Sequence, residues 1–389
     1  MLKKGFKFID LFSGIGGFHQ AMESFGGECV FASDINKECI KVYNKNYNFN
    51  SDFDITKVDA KDIPEHDVLC GGFPCQAFSK AGKQMGINDT RGTLFFDIAR
   101  ILKEHHTKYI LLENVRNLVS HDNGNTWKTI KDTLHSLGYR LTKEPIVLSP
   151  HQFGVPQLRE RVYIPGIYDP ENVDKDLDVS FDNLMKKEQN DLYSVLDSGK
   201  VEEKYYIDEY ENMVLTAWDE FYKGIKEKVI GFPIWAQYFK VKKIDNKLPK
   251  WKYDFIDKNR KLYLNNKEFI DEWLKKYNNL KSFVPTHTKM EWQAGESIDT
   301  IWEGVIQFRP SGVRVKTPTV FPALVAMVQI PVIGKYKRRL TVRECARLQS
   351  FPENFICDEV DQQAYKQFGN SVNVEVLKKL FEKLLKCDN

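Results

Sequence analysis

No apolar run in this 389-residue chain approaches the ~20 residues that a membrane-crossing helix needs. The opening MLKKGFKFIDLF passes directly into a strand pattern, so no signal peptide is expected there. Cysteine pairs are also missing. Seven cysteines (Cys29, Cys39, Cys70, Cys75, Cys345, Cys357, Cys387) are scattered with no C-x-x-C spacing, which disfavours a zinc ribbon or a dithiol redox site. His105, His106, His121 and His135 lack metal-ligand spacing with Cys or Asp and read as helix-surface or capping residues, so no metal is expected. The chain also shows no internal repeat and no low-complexity tract. With 42% hydrophobic and 29% charged residues it is neither a disordered tail nor a disulfide-stapled miniprotein. A soluble, cytoplasmic protein of two domains is expected.

Net charge is small, with 57 Lys+Arg against 54 Asp+Glu giving +3. This balance hides a cancellation: residues 171–220 sum to about −10 and residues 221–290 to about +10 on formal side-chain charges. Trp218, Trp235, Trp251, Trp273, Trp292 and Trp302 fall in the same middle region. The shift in composition marks a separate module.

The first 170 residues alternate short apolar runs with helical periods. Strands are expected at residues 6–11, 29–33, 68–71, 109–113, 140–148 and 161–167, and helices at 18–25, 37–46, 93–103 and 125–137. Such alternation predicts an α/β domain with a mainly parallel sheet. From about 171 to 335 the period is lost. It returns in TVRECARLQSFP, a helix stopped at Pro352, and in residues 373–387, where Val374, Leu377, Leu380, Phe381 and Leu384 share one face.

Four motifs in the first domain carry chemistry. Phe8 to Phe18 (FIDLFSGIGGF) runs strand, glycine turn, helix, which brings backbone N–H groups close to a ligand. His19 occupies the third glycine position of a dinucleotide fingerprint, so NAD is disfavoured. Asp34 lies twenty residues beyond Gly14 at the end of the next strand, where a carboxylate holds ribose hydroxyls. Second, GGFPCQAFS places Cys75 on a Gly/Pro loop directly after a strand, where α/β sheets put their ligands and where a thiolate would be a strong nucleophile. Third, Glu113 ends an apolar strand in LLENV, and an apolar pocket would raise its pKa. Fourth, in GVPQLRER the period of an extended chain sets Gln157, Arg159 and Arg161 on one face.

In this order, with RECARLQSFP at 343–352 and KQFGNSV at 366–372, these motifs closely resemble the DNA cytosine-5 methyltransferases of bacterial or phage type. The resemblance covers residues 6–170 and 335–385. It implies a Rossmann-like α/β sheet dependent on S-adenosylmethionine, with a second, smaller, mainly irregular/β target-recognition domain. The expected boundaries are 1–170 plus 365–389 for the catalytic domain, 171–340 for target recognition, and 341–364 for a connecting helix region. It also implies that Cys75 attacks C6 of a flipped cytosine, Glu113 acts at N3, Arg161 binds O2, and Arg159 supports the loop and its phosphate contacts. Phe12, Gly14, Ile15, Gly17, Gly72, Pro74 and Leu94 would line the cofactor, with Asp34 on its ribose. Asp54 and Ile55 would meet the adenine, and Asn370, Ser371 and Val372 would close the site.

The family commonly has Glu at the position of Asp34 and often an aromatic at that of Ile35, which here offers aliphatic packing. An Ala323-Leu324 pair stands where family members tend to carry Thr-Leu. DNA contacts would fall to Gln76, Ser79, Lys80, Lys83, Gln157, Arg338 and Arg339, with residues 80–86 as a closing loop. The basic run 221–290 would add backbone contacts, and the acidic block would face away from DNA or pack on the catalytic domain. The implied partner is duplex DNA at the nucleoid, with a cognate restriction endonuclease as a functional partner. A stand-alone monomer is expected. A tRNA cytosine-5 methyltransferase and a non-catalytic DNA-binding module are the competing readings.

Overall fold

The computed structural model describes residues 2, 4–74, 94–227, 230–327 and 329–388. Contacts divide the chain into two compact units. The first holds residues 1–191, 323–328 and 345–389, and the second residues 192–322 and 329–344.

In the first unit the apolar runs become β1 (Lys7–Leu11), β2 (Glu28–Ser33), β3 (Val68–Gly72) and β4 (Tyr109–Val115), and the periodic stretches become α1 (Gly17–Glu23), α2 (Lys37–Tyr47), α3 (Phe95–His105) and α4 (Asn125–Ser136). β2, β1, β3 and β4 lie side by side, all parallel. The expected strand at 140–148 is two, β5 (Tyr139–Leu141) and β6 (Ile146–Leu148), and both pair antiparallel with β7 (Arg161–Tyr168). β7 itself runs antiparallel to β4. The strand order reverses at β1, whose neighbours are β2 and β3. Crevices at the carboxyl ends of strands around such a reversal bind ligands in open α/β sheets.

One face of the sheet packs Leu11, Leu69, Leu112 and Ile164 with Phe95, Ile98, Leu102, Ile130 and Leu134 from α3 and α4. The last helix of the chain, Val374–Lys386, comes back to this unit. Its Phe381 ring meets Phe6 at 5.8 Å and Phe25 at 5.2 Å, and Asp388 just beyond it accepts a 2.6 Å hydrogen bond from the Tyr109 hydroxyl.

The first unit extends past the expected boundary at 170. Leu177 is buried and donates its N–H to the Leu141 carbonyl at 2.8 Å, and Met185 donates to Gln152 at 3.1 Å. The start of the acidic block is thus anchored on the first unit by backbone hydrogen bonds and one buried leucine. Residues 345–364 join the same unit rather than forming a separate connector.

The second unit combines a six-stranded sheet with three helices, α5 (Glu209–Gly224), α6 (Lys250–Asn265) and α7 (Lys267–Lys276). Its core is aromatic. Trp218, Phe221 and Trp273 pack within 4.9–5.4 Å of one another, and Tyr222 stacks on Trp292 at 3.4 Å. The indole N–H groups of Trp218, Trp273 and Trp292 each donate to a backbone carbonyl, so the tryptophan-rich composition builds a hydrogen-bonded core. Among the described residues no helix is long and apolar enough to cross a membrane.

A buried ion pair sits near the end of this unit. Both Nη atoms of Arg338, which is 3% exposed, donate to the Glu344 carboxylate at 2.8 and 2.7 Å, and Thr341 adds its backbone N–H at 2.8 Å. Removing one partner of a buried pair leaves the other charge uncompensated, at a cost of about 3–5 kcal/mol. Glu344→Gln is expected to lower the urea midpoint accordingly, whereas replacing both residues by apolar ones restores much of the loss. An unchanged midpoint in Glu344→Gln would contradict this reading.

Candidate active site

The ends of β1, β2, β3 and β4 open into a cavity of about 680 Å3, within the ~300–1,000 Å3 usual for ligand sites. Its first wall is the glycine turn. Phe12, Gly14 and Gly16 all take positive φ, which folds the chain tightly before α1 begins at Gly17. A Cβ at Gly17 would stand 2.5 Å from Val372 Cγ2, so the close approach of the C-terminal segment requires glycine there. Asp34 at the end of β2 fastens the turn. One carboxylate oxygen accepts the Gly14 N–H at 2.8 Å, and the other accepts the Asn36 N–H at 2.7 Å.

The second wall is the β3–β4 edge. Gly72 stands in register with Glu113, and Asn114 donates its side-chain amide to the Phe73 carbonyl at 2.9 Å. Asn114 was not singled out from the sequence, although it sits inside the ENV motif; it braces the chain at Phe73, just after β3. Glu113 is buried, with its Oε1 3.1 Å from the Arg161 Nε. Burial pushes its pKa up, while the Arg161 and Arg159 guanidiniums oppose the rise without cancelling it. The site therefore holds an acid biased towards its protonated form beside a fixed cation.

Arg159 is buried and donates to three backbone carbonyls: Leu324 at 2.7 Å, Gly369 at 3.0 Å and Ser371 at 2.7 Å. Its guanidinium brackets two other chain segments, at Leu324 and at Gly369–Ser371. A Cβ at Gly369 would fall 2.5 Å from the backbone of Val325, a further tight junction that the sequence did not announce.

The cavity gathers Phe12, Gly14, Ile15, Gly17, Asp34, Ile35, Asp54, Ile55, Gly72, Pro74 and Leu94 with Glu113, Arg159, Arg161, Asn370, Ser371 and Val372. Every expected cofactor-side residue is among them. Cys75, Gln76, Ser79, Lys80, Lys83 and the loop at 80–86 lie outside the described residues. Two expected DNA contacts do not fit their surroundings. Gln157 is fully buried, and both Nη atoms of Arg338 are engaged by Glu344. Arg339 is paired with Glu211. Among the described residues no cluster of His, Cys, Asp or Glu could hold a metal ion.

The family model for C-5 cytosine-specific DNA methylases matches residues 6–386. The type II methyltransferase M.AluI of Cellulosimicrobium cellulans is 33% identical across 98% of this chain and 92% of its own length. M1.ScrFI of Lactococcus lactis subsp. cremoris is 36% identical across 98% and 78%, and M.HhaI of Haemophilus parahaemolyticus 32% across 96% and 92%. Among solved structures, the S. pombe Dnmt2 methyltransferase superposes with a TM-score of 0.57 at 21% identity, covering 99% of both chains, a likeness of fold. The chain belongs to the C-5 cytosine-specific DNA methylases and is a DNA cytosine-5 methyltransferase.

Proposed function

We propose that this enzyme transfers the methyl group of S-adenosylmethionine to C5 of a cytosine flipped out of duplex DNA, through a covalent bond between Cys75 and C6. The observation that carries the reading is the pair of buried Glu113 with half-buried Arg161 lining a cavity of a size and lining that suit the cofactor. The fit is chemical as well as spatial. Ser13 and Ser33 line the cavity, and among the described residues their buried hydroxyls have no hydrogen-bond partner, which leaves them able to pair with a polar ligand. The Asp34 carboxylate faces the same space, suited to ribose hydroxyls, and Ile35, Phe53, Ile55 and Leu94 give it an apolar side suited to a purine.

Bound S-adenosylmethionine would supply an electrophilic methyl group on its sulfonium. The chain's residues must make C5 nucleophilic, because the neutral cytosine ring is not. The Cys75 thiolate adds to C6 while Glu113 gives its proton to N3, so the electron pair of the C5–C6 bond becomes available at C5. Arg161, which contacts Glu113, is assigned to bind the O2 carbonyl. After methylation, loss of the C5 proton restores the double bond and expels the thiolate; N3 returns its proton to Glu113.

Sequence recognition is assigned to the second unit, and the duplex backbone to exposed lysines such as Lys242, Lys243, Lys247 and Lys250. The enzyme is proposed to act as a monomer in the cytoplasm, with a cognate endonuclease as its functional counterpart.

Incubation with cofactor carrying a labelled methyl group, duplex DNA and tRNA is expected to label cytosine C5 in DNA alone. Label confined to tRNA would overturn the substrate assignment. Glu113→Gln is expected to lower kcat by about 10²–10⁴-fold while leaving S-adenosylhomocysteine affinity near the wild-type value. Near-native turnover would remove Glu113 from the mechanism.

The raised pKa of Glu113 has a stability consequence. Below the ordinary glutamate pKa the group is protonated in both folded and unfolded chains. As pH rises further the unfolded chain loses the proton first, so the folded state's advantage from this group is lost as pH passes through the raised folded value. Wild-type unfolding free energy should therefore fall more steeply over that window than that of Glu113→Gln. Parallel profiles would contradict the raised pKa.

A further inference from the structure

Two large apolar side chains stand exposed in the cavity beyond Asp34: Ile35, 73% exposed, and Phe53, 37% exposed. Phe53 belongs to none of the motifs. It is brought to the site by a local backbone pairing. Asp34 and Asp52 form a parallel bridge, and the N–H groups of Asp34 and Phe53 both donate to the Ser51 carbonyl, at 2.8 and 2.9 Å. The residues that follow the bridge, Ile35 and Phe53, are thereby neighbours on adjacent segments. The Phe53 ring is held by the buried Phe31 of β2, at 5.3 Å between centroids and a 34° tilt. An aromatic ring anchored on a buried partner yet open to a ligand cavity is a platform for a flat ring.

The neighbouring polar group is held in place by its own turn. One oxygen of Asp54 accepts the Thr56 N–H and hydroxyl at 3.2 and 2.7 Å, and the other meets the Lys57 ammonium at 3.0 Å. Asp54 shapes the turn that follows Phe53 and lines the same cavity, beside the apolar faces of Ile35 and Phe53.

We propose that Phe53 is the stacking platform for the purine ring of the cofactor, with Ile35 packing at its side. This rests on the assignment of the cavity to S-adenosylmethionine. The aliphatic Ile35 offers no π-face, and Phe53, from a different segment, supplies one. Stacking on an aromatic face tolerates the identity of the base, so Phe53 contributes affinity through its ring rather than through hydrogen bonding.

The test is equilibrium binding of S-adenosylhomocysteine to the full-length wild type, Phe53→Leu and Phe53→Trp, with the thermal midpoint of each ligand-free protein. Phe53→Leu should weaken binding about tenfold or more, with a ligand-free midpoint close to the wild type because the side chain is partly exposed. Phe53→Trp should bind within about threefold of the wild type, an aromatic face being retained, and its added tryptophan emission should change on S-adenosylhomocysteine binding but not with methionine alone. Equal affinity in Phe53→Leu and wild type would overturn the inference. So would a weakened Phe53→Leu with a Phe53→Trp that is equally weak, since that result assigns Phe53 to loop shape. A wild type that binds no S-adenosylhomocysteine is a separate result: it would remove the cofactor assignment itself and this inference with it.

Discussion

A single buried guanidinium holds the site together. Arg159 reaches the carbonyls of Leu324, Gly369 and Ser371, residues 165, 210 and 212 positions away in sequence. None of these carbonyls is free to go unpaired, since a buried backbone acceptor without a donor costs free energy. Arginine presents several N–H donors in a rigid plane and keeps its charge when buried; a lysine ammonium at the same depth would offer fewer, differently directed donors. The cavity wall at Ser371 and Val372 is thus fixed by a residue that lies two positions before β7 of the catalytic sheet. Gly369 and Gly17 make the same demand sterically, because side chains there would meet Val325 and Val372.

Once the wall is fixed, the chemistry is a competition between burial and charge at Glu113. An isolated carboxyl in this pocket would be driven strongly towards its neutral form. The Arg161 Nε at 3.1 Å, with Arg159 behind it, draws the group back towards ionisation, and burial retains the larger share. The outcome suits an acid that gives a proton to a ring nitrogen and recovers it in each cycle. The sheet supplies the positioning: Gly72 lies in register with Glu113, so the strand that leads to Cys75 ends beside the acid.

Much of this was legible in the letters. Apolar runs separated by helical periods outlined five of the first unit's strands and merged β5 and β6 into one, and the strand-end positions of Asp34 and Glu113 matched their places in the cavity. The glycine turn was readable because positive φ selects glycine so strongly, though Phe12 adopts it as well. Burial was not legible from charge or period alone. Arg338 reads as a surface cation, but its partner Glu344 is only six residues on and both Nη atoms turn inwards to it. Gln157 shares a period with Arg159, yet it is fully buried. The helices over 209–276 were obscured because their buried stripes are built from aromatic residues interleaved with lysines. Most of the tryptophans that marked the second module serve its core, while Trp251 remains 59% exposed. Phe53 carries no motif, and only the Asp34–Asp52 bridge reveals its place.

The central claim is that Cys75, three residues after β3 in the sequence, attacks the cytosine that Glu113 activates. Duplex DNA carrying 5-fluorocytosine tests it directly, because fluorine at C5 cannot leave as a proton and the enzyme stays joined to C6 after methylation. Intact mass measurement with cofactor present should show a one-to-one protein–DNA adduct that maps to Cys75 and is absent from Cys75→Ala. No adduct with the native chain, or an adduct that survives in Cys75→Ala, would contradict the account.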